Sequence, residues 1–204
     1  VELKIEPYLQ QVKRWPQTGR HVLAQFDADA IVVYQAYRPS IGRFAVQNGY
    51  FGGEFRLTRM SWIKPNFLWM MYRCGWGSKT DQESVLAVKI KRSAFDQLLS
   101  MAVSTSYDHT RYSNISEWKK ALKRAEVLTQ WDPDHDPTGA KCDRRAIQLG
   151  LRGSVLAQYA KDWIIDIQDL SPFVREQREN AYPDKYDALI VPKEEVYPMK
   201  SEWK

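Results

Sequence analysis

Apolar residues change their spacing repeatedly along this chain, and the changes cut it into short strands and helices of irregular order. Residues 30–37, Ala-Ile-Val-Val-Tyr-Gln-Ala-Tyr, are a β-branched and aromatic run that predicts a strand, ended by Arg38-Pro39. Ser40 is placed to cap a short helix to about Gln47, with Ile41, Phe44 and Ala45 as its apolar face. Asn48-Gly49 and Gly52-Gly53 mark turns. Pro65 suits the first turn of a helix running to Arg73, which Gly75 and Gly77 would end. Residues 85–90 predict a second strand and residues 94–101 a helix. Ser116 would cap a helix over 117–128, with Trp118, Leu122 and Ala125 as its stripe. Residues 131–139 hold two Asp-Pro pairs and read as a loop. Residues 145–151 alternate as a third strand, 154–159 follow as a helix, and 163–168 form a fourth strand. Ser171-Pro172 opens a last helix to about Asn180, by a hydroxyl cap and a proline in the first turn.

Strands and helices mixed without regular crossovers predict the α+β class. The expected architecture is a single compact domain with a mixed or antiparallel sheet and packed helices. Residues 1–20 and 183–204, broken by prolines, are expected to be peripheral. Two hundred and four residues, 44% of them hydrophobic and eight of them Trp, are enough for a sizeable core. No run approaches the roughly 18 apolar residues of a membrane span, and residues 1–20 lack the apolar core of a secretion signal. A cytoplasmic protein without a membrane partner is therefore expected. Cys74 and Cys142 with three scattered histidines lack the spacing of a zinc site, so no metal is expected.

Charge adds a location. The net charge is +5, yet residues 55–79 carry five cations and no acid. Within them, Arg59 to Trp76 crowds three Trp and one Tyr against Arg59, Lys64 and Arg73. Apolar residues surround the part after Pro65, so it must be mostly buried while its cationic heads seek water, a carboxylate or an anion. Arg59, Lys64 and Arg73 are the leading ligand cations, and Trp69, four residues before Arg73 on a helix, can wall the same pocket. The bland alternative keeps the Trp residues in the core, with the cations snorkelling to solvent or paired with Asp81 and Glu83. Tyr34, Gln35, Tyr37 and Arg38 at the end of the first strand form a second candidate set. Arg144, Arg145, Gln148 and Arg152 form a third. Glu83 is the preferred catalytic carboxylate, with Asp27 and Asp132 in reserve. His21, His109 and His135 lie in polar contexts and are read as non-catalytic, and Cys74 as a buried free thiol. Glycine-loop, nucleophile-elbow and zinc-protease motifs are missing.

Gln25-Phe-Asp27, Val33-Tyr-Gln-Ala-Tyr37, the stretch from Arg59 to Arg73 with Gly75-Trp76, Gln82-Glu83, Gln130-Trp-Asp-Pro133 and residues 145–153 occur in one order. Together they resemble the family known as domain of unknown function 4291, over about residues 20–180. Asn66 and Cys74 stand where Ser is usual. The strand at 31–37, the helix with Ile41 and Ala45, and Gly49-Tyr-Phe51 also resemble the opening of ADP-ribosyltransferase-like folds. That second resemblance implies Gln35, where many such enzymes have histidine, or Tyr34 on the nicotinamide side of NAD. It places Arg59 and Arg73 on phosphates and Glu83 beside an oxocarbenium-like centre.

The expected function is binding of a small phosphorylated ligand, NAD or another nucleotide, with cleavage of its glycosidic bond or transfer of ADP-ribose. A single-stranded RNA- or DNA-binding module is one alternative, and a non-catalytic partner-binding domain another. Oligomeric state is left open.

Overall fold

The computed structural model describes residues 3–199; residues 1–2 and 200–204 of the two expected peripheral segments lie outside the described residues. The chain opens with β1 (Ile5–Pro7), α1 (Tyr8–Val12), β2 (Gly19–Arg20) and β3 (Leu23–Ala24). Next come β4 (Ala30–Tyr37), α2 (Pro39–Asn48), β5 (Ser61–Ile63), α3 (Phe67–Cys74), β6 (Ser84–Lys91) and α4 (Arg92–Met101). β7 (Val103–Ser104), α5 (Ile115–Arg124), β8 (Val127–His135), β9 (Lys141–Leu151), α6 (Gly153–Lys161), β10 (Ile164–Asp169) and α7 (Ser171–Arg178) follow. β11 (Ile190–Pro192) and β12 (Glu195–Val196) come last.

These elements form one compact α+β domain around a curled mixed sheet. β10, β6 and β4 run antiparallel in that order. β9 pairs antiparallel with β8 along one edge, and with β5 and the parallel β2 along the other; β7 adds to β8 in parallel. The two halves are joined by a bridge between Tyr34 and Lys64, whose backbones exchange hydrogen bonds of 2.6 and 3.3 Å. That bridge folds the sheet so that the end of β4 faces β8 and β9.

Strand alternation decides which core each residue enters. Val33, on one face of β4, packs with Leu86, Val88, Phe95, Leu149 and Leu156. Val32 and Tyr34, on the other face, pack with Phe67, Leu68 and Met71 of α3. Six of the eight α3 side chains are buried, which leaves Tyr72 and Arg73 outward. Each buried Leu, Met or Phe there contributes roughly 1.5–3 kcal/mol. α2 lies so close to β6 that a Cβ on Gly42 would collide with Ser84 Oγ, so only glycine fits.

The expected strands all form, and the helix starts shift. Pro39, not Ser40, enters the first turn of α2, and Ser40 donates to Glu54 instead. Asn66 caps α3 by accepting from the Trp69 amide at 2.6 Å, so Pro65 lies outside the helix. Asn114 does the same for α5 in place of Ser116, and the chain has left helix before Val127. Ser171 begins α7 without a hydroxyl cap; its Oγ accepts from the Val85 amide.

The largest departure is residues 131–135, which form strand rather than loop. Beyond Thr129, β8 has β9 on one side and no strand on the other among the described residues, so Pro133 leaves no ladder partner waiting for an N–H. The register shifts between Pro133 and His135, which absorbs the break.

The described termini are structural too. β1 pairs with β11, and β12 with β3. Gln11 accepts from the Glu194 amide and donates to Pro192 O, while Trp15 Nε1 donates to Glu194 O. Glu194 then accepts from the Phe67 amide and from Asn66, tying the tail to the start of α3.

Candidate functional site

The curl brings seven of the sequence-selected residues into one cleft of about 560 Å³: Gln35, Tyr37, Arg59, Lys64, Trp69, Arg73 and Gln148. β4 supplies Gln35 and Tyr37, which share a face two residues apart. β5 and the residue after it supply Ser61 and Lys64, α3 supplies Trp69 and Arg73, and β8 and β9 supply Asp132 and Gln148. Gln148 faces away from the buried Ile147 and Leu149, as its place on the strand requires.

The polar wall can be counted proton by proton. Gln35 is buried; its Nε2 donates to Tyr37 Oη at 2.6 Å and to Ser61 Oγ at 2.8 Å, and its Oε1 accepts from Tyr159 Oη at 2.6 Å. Tyr37 Oη and Ser61 Oγ lie 2.6 Å apart, so one hydroxyl donates to the other. A single hydroxyl proton of this pair is left over for a ligand. Burial raises the Tyr37 phenol far above its ordinary value, so it stays a neutral donor and acceptor. Gln35 therefore positions Tyr37 and Ser61, with both of its amide protons occupied.

Opposite this wall, Asp132 accepts from Gln130 Nε2 and Gln148 Nε2, each at 2.8 Å. Among the described residues it is the only carboxylate lining this part of the cleft. Arg59 and Arg73 stand exposed at the mouth, and Lys64 is buried. Among the described residues, none of these three side chains has a carboxylate partner. The acids that could have neutralised them are engaged elsewhere. Asp81 pairs with Arg38 at 3.5 Å, and Glu83 accepts from the Asp81 amide. Burial, then the nearby Arg73 guanidinium, push the Lys64 amine down to about 8, against weaker opposing pulls from Cys74 and Asp132. The cleft continues into a second hollow of about 570 Å³, which shares Tyr37, Arg59, Met60, Ser61 and Gln82 and adds Arg38, Arg56 and Glu54.

Six selected residues lie elsewhere: Arg38 lines the neighbouring hollow and pairs with Asp81, Arg144 is buried against Asp134, and four more are spread over the fold. Tyr34 is fully buried on the opposite face of β4, edge-on to Phe67 at 5.5 Å. Glu83 is exposed in the turn before β6 and outside the cleft. Arg145 is exposed, and three positions from Gln148 it faces the other side of β9. Arg152 donates to the carbonyls of Leu122, Lys123 and Ala125, closing the end of α5. The two reserve acids part ways. Asp27 caps its own turn by accepting from the Asp29 and Ala30 amides, which hold its carboxyl low, and only Asp132 reaches the cleft.

Trp69 does not stack on Arg73. It stacks with Tyr72 at 5.5 Å and with His135 at 5.2 Å, and Tyr72 lies 3.6 Å from the His135 ring. Cys74 is a buried thiol raised by that burial. Ser61, Gln82 and Gln130 line the cleft without being chosen as site candidates, although all three lie in the segments that carry the family resemblance, and Asp132 lines it from the reserve. Gln130 and Asp132 are two apart, a strand spacing that the proline after them disguises as loop.

Among the described residues no helix is long and apolar enough to cross a membrane, and no group of three or more His, Cys, Asp or Glu is placed to hold a metal ion. No curated protein matches the chain. A family model does match, over residues 21–197, which takes in every residue of the cleft as well as β12 and the buried Tyr197. The chain thus belongs to the family described as domain of unknown function DUF4291.

Proposed function

We propose that the cleft binds a phosphorylated nucleotide, with NAD or an ADP-ribosyl compound as the best-fitting class. The observation that carries this reading is the gathering of Arg59, Lys64 and Arg73 around one cavity without a carboxylate partner among the described residues. Cations left unpaired beside a buried polar wall favour an anion, and guanidinium forks suit phosphate oxygens. Between them, the two polar walls offer one hydroxyl proton, the Gln130 and Gln148 amides and the Asp132 carboxylate. These suit the amide and hydroxyl groups of a nicotinamide riboside.

If the bound ligand loses its base, Asp132 takes the part that the sequence reading gives to Glu83. A carboxylate inside the cavity can steady positive charge developing at the anomeric carbon. Glu83 is exposed and does not line the cleft. Gln35 acts through Tyr37 and Ser61, which it holds in place. The nucleic-acid alternative needs indole rings open to bases, whereas Trp69 and Trp76 are buried. The partner-binding alternative draws its support from individually paired cations, and among the described residues these three have no carboxylate partner.

Isothermal titration with NAD, ADP-ribose and adenosine tests the reading. Saturable binding of the two pyrophosphate ligands and at least tenfold weaker binding of adenosine is expected. No heat from either pyrophosphate ligand at millimolar concentration overturns it.

A further inference from the structure

Lys64 is unusual even among the three cations of the cleft. Arg59 and Arg73 are exposed and solvated, whereas Lys64 is 6% exposed and its amine has no hydrogen-bond or ion-pair partner among the described residues. Its backbone is clamped by the two-way bridge to Tyr34, so the side chain enters the cavity from a fixed point. Asp132 lines the same cavity and is fixed by two amide donors. A buried lysine whose amine has no partner among the described residues, sharing one cavity with a fixed carboxylate and two exposed guanidinium groups, is an arrangement suited to carbonyl chemistry.

We infer that Lys64 is a nucleophile that captures the aldehyde of a phosphorylated sugar as an imine, with Arg59 and Arg73 holding the phosphate. The inference rests on the phosphate reading above and adds a covalent step to it. The neutral Nζ lone pair attacks the carbonyl carbon of the open-chain sugar, and the carbonyl π pair moves to oxygen, which takes a proton. Nζ gives up one proton to Asp132. The new hydroxyl then receives a proton from Asp132 and departs as water while the nitrogen lone pair forms the C=N bond. Amine, aldehyde and one proton become a protonated imine and water, and nothing is oxidised or reduced. The surroundings of the amine support the step. Burial and the Arg73 charge hold its pKa at about 8, which gives a far larger free-base fraction near neutrality than a solvated lysine has. Asp132 and Cys74 are the groups that pull the other way.

Ribose 5-phosphate and ADP-ribose both carry the required phosphate and reducing end, and sodium cyanoborohydride fixes such an imine as a secondary amine. The intact protein is incubated with either sugar and the reductant, and peptides are read by mass spectrometry. One adduct, of the ligand mass less one oxygen, is expected on Lys64 at a rate at least tenfold above Lys79 or Lys89. Inorganic pyrophosphate, which has no carbonyl, should suppress it, and Lys64→Gln should lose it. Label spread evenly over surface lysines overturns the inference. So does an unlabelled Lys64 in protein that calorimetry shows to bind ADP-ribose, and in that case the phosphate reading survives. Label on Lys64 that pyrophosphate leaves unchanged has the opposite meaning: the nucleophile stands and the phosphate reading falls.

Discussion

Two carboxylate sites on the β8–β9 pair show what separates a structural charge from an available one. At one end, Arg144 donates to Asp134 at 2.6 Å, with both side chains almost wholly buried. The Arg144 guanidinium also donates to Pro16 O and lies over the Trp15 ring at 5.3 Å. Four residues along β9 and on the same face, Gln148 donates to Asp132 at the wall of the cleft. There the carboxylate has amide partners, and the cations nearby have no acid among the described residues. A closed pair fixes the fold, because its charges are spent on each other. An open set leaves its charge available to a ligand, which is the role proposed for the cleft.

Breaking the closed pair is the largest effect expected. Arg144→Met leaves Asp134 buried and uncompensated, and unfolding in urea should show a loss of about 3–5 kcal/mol. Pairing it with Asp134→Leu should recover most of that loss, since the stranded charge goes too. A single-variant loss under about 1 kcal/mol would mean the pair is not the closed unit described. The open site should behave in the reverse way. Arg59→Ala and Arg73→Ala remove exposed guanidinium groups that have no carboxylate partner among the described residues, so stability should move by no more than about 0.5 kcal/mol. Each should weaken ADP-ribose binding about tenfold by calorimetry. Variants that lose stability but keep affinity would turn the comparison upside down.

The same contrast explains what is legible in the sequence. β4, β6 and β9 are long β-branched or alternating runs, and their periodicity alone marks them as strands. The basic aromatic stretch announces both the burial of α3 and the cations around the cleft, because an apolar surround forces the polar heads to one side. The roles of Arg144 and Arg152 stay hidden, because a guanidinium that closes a hub or a helix end looks like any other Arg until its distant partners are known. Glu83 draws attention by lying near the aromatic stretch in sequence. Sequence proximity does not say on which side of a turn a side chain emerges, and Asp132 reaches the cleft through a ladder pairing with β9. Pro133 conceals that ladder, since a proline on an edge strand carries the same letters as a proline in a loop.

The smallest effect separates the two regions by pH. Lys64 titrates at about 8, below its ordinary value, because burial and Arg73 disfavour its charge. An anion binds the ammonium form, so affinity should be flat below pH 8 and fall as pH rises through it. A threefold to tenfold drop by about pH 9.5 is expected. NAD is the proper probe, since its pyrophosphate does not titrate in this window. The stability of the ligand-free protein should move in the opposite direction. The folded state binds fewer protons than the unfolded chain between about 8 and the ordinary lysine value, so this group's contribution to stability rises with pH there. Lys64→Arg should abolish the break in affinity, because guanidinium stays charged throughout. Affinity that holds level to about pH 10 in the wild-type protein would show that the amine is solvated or paired, and Lys64 would then belong with Arg144 among the closed charges.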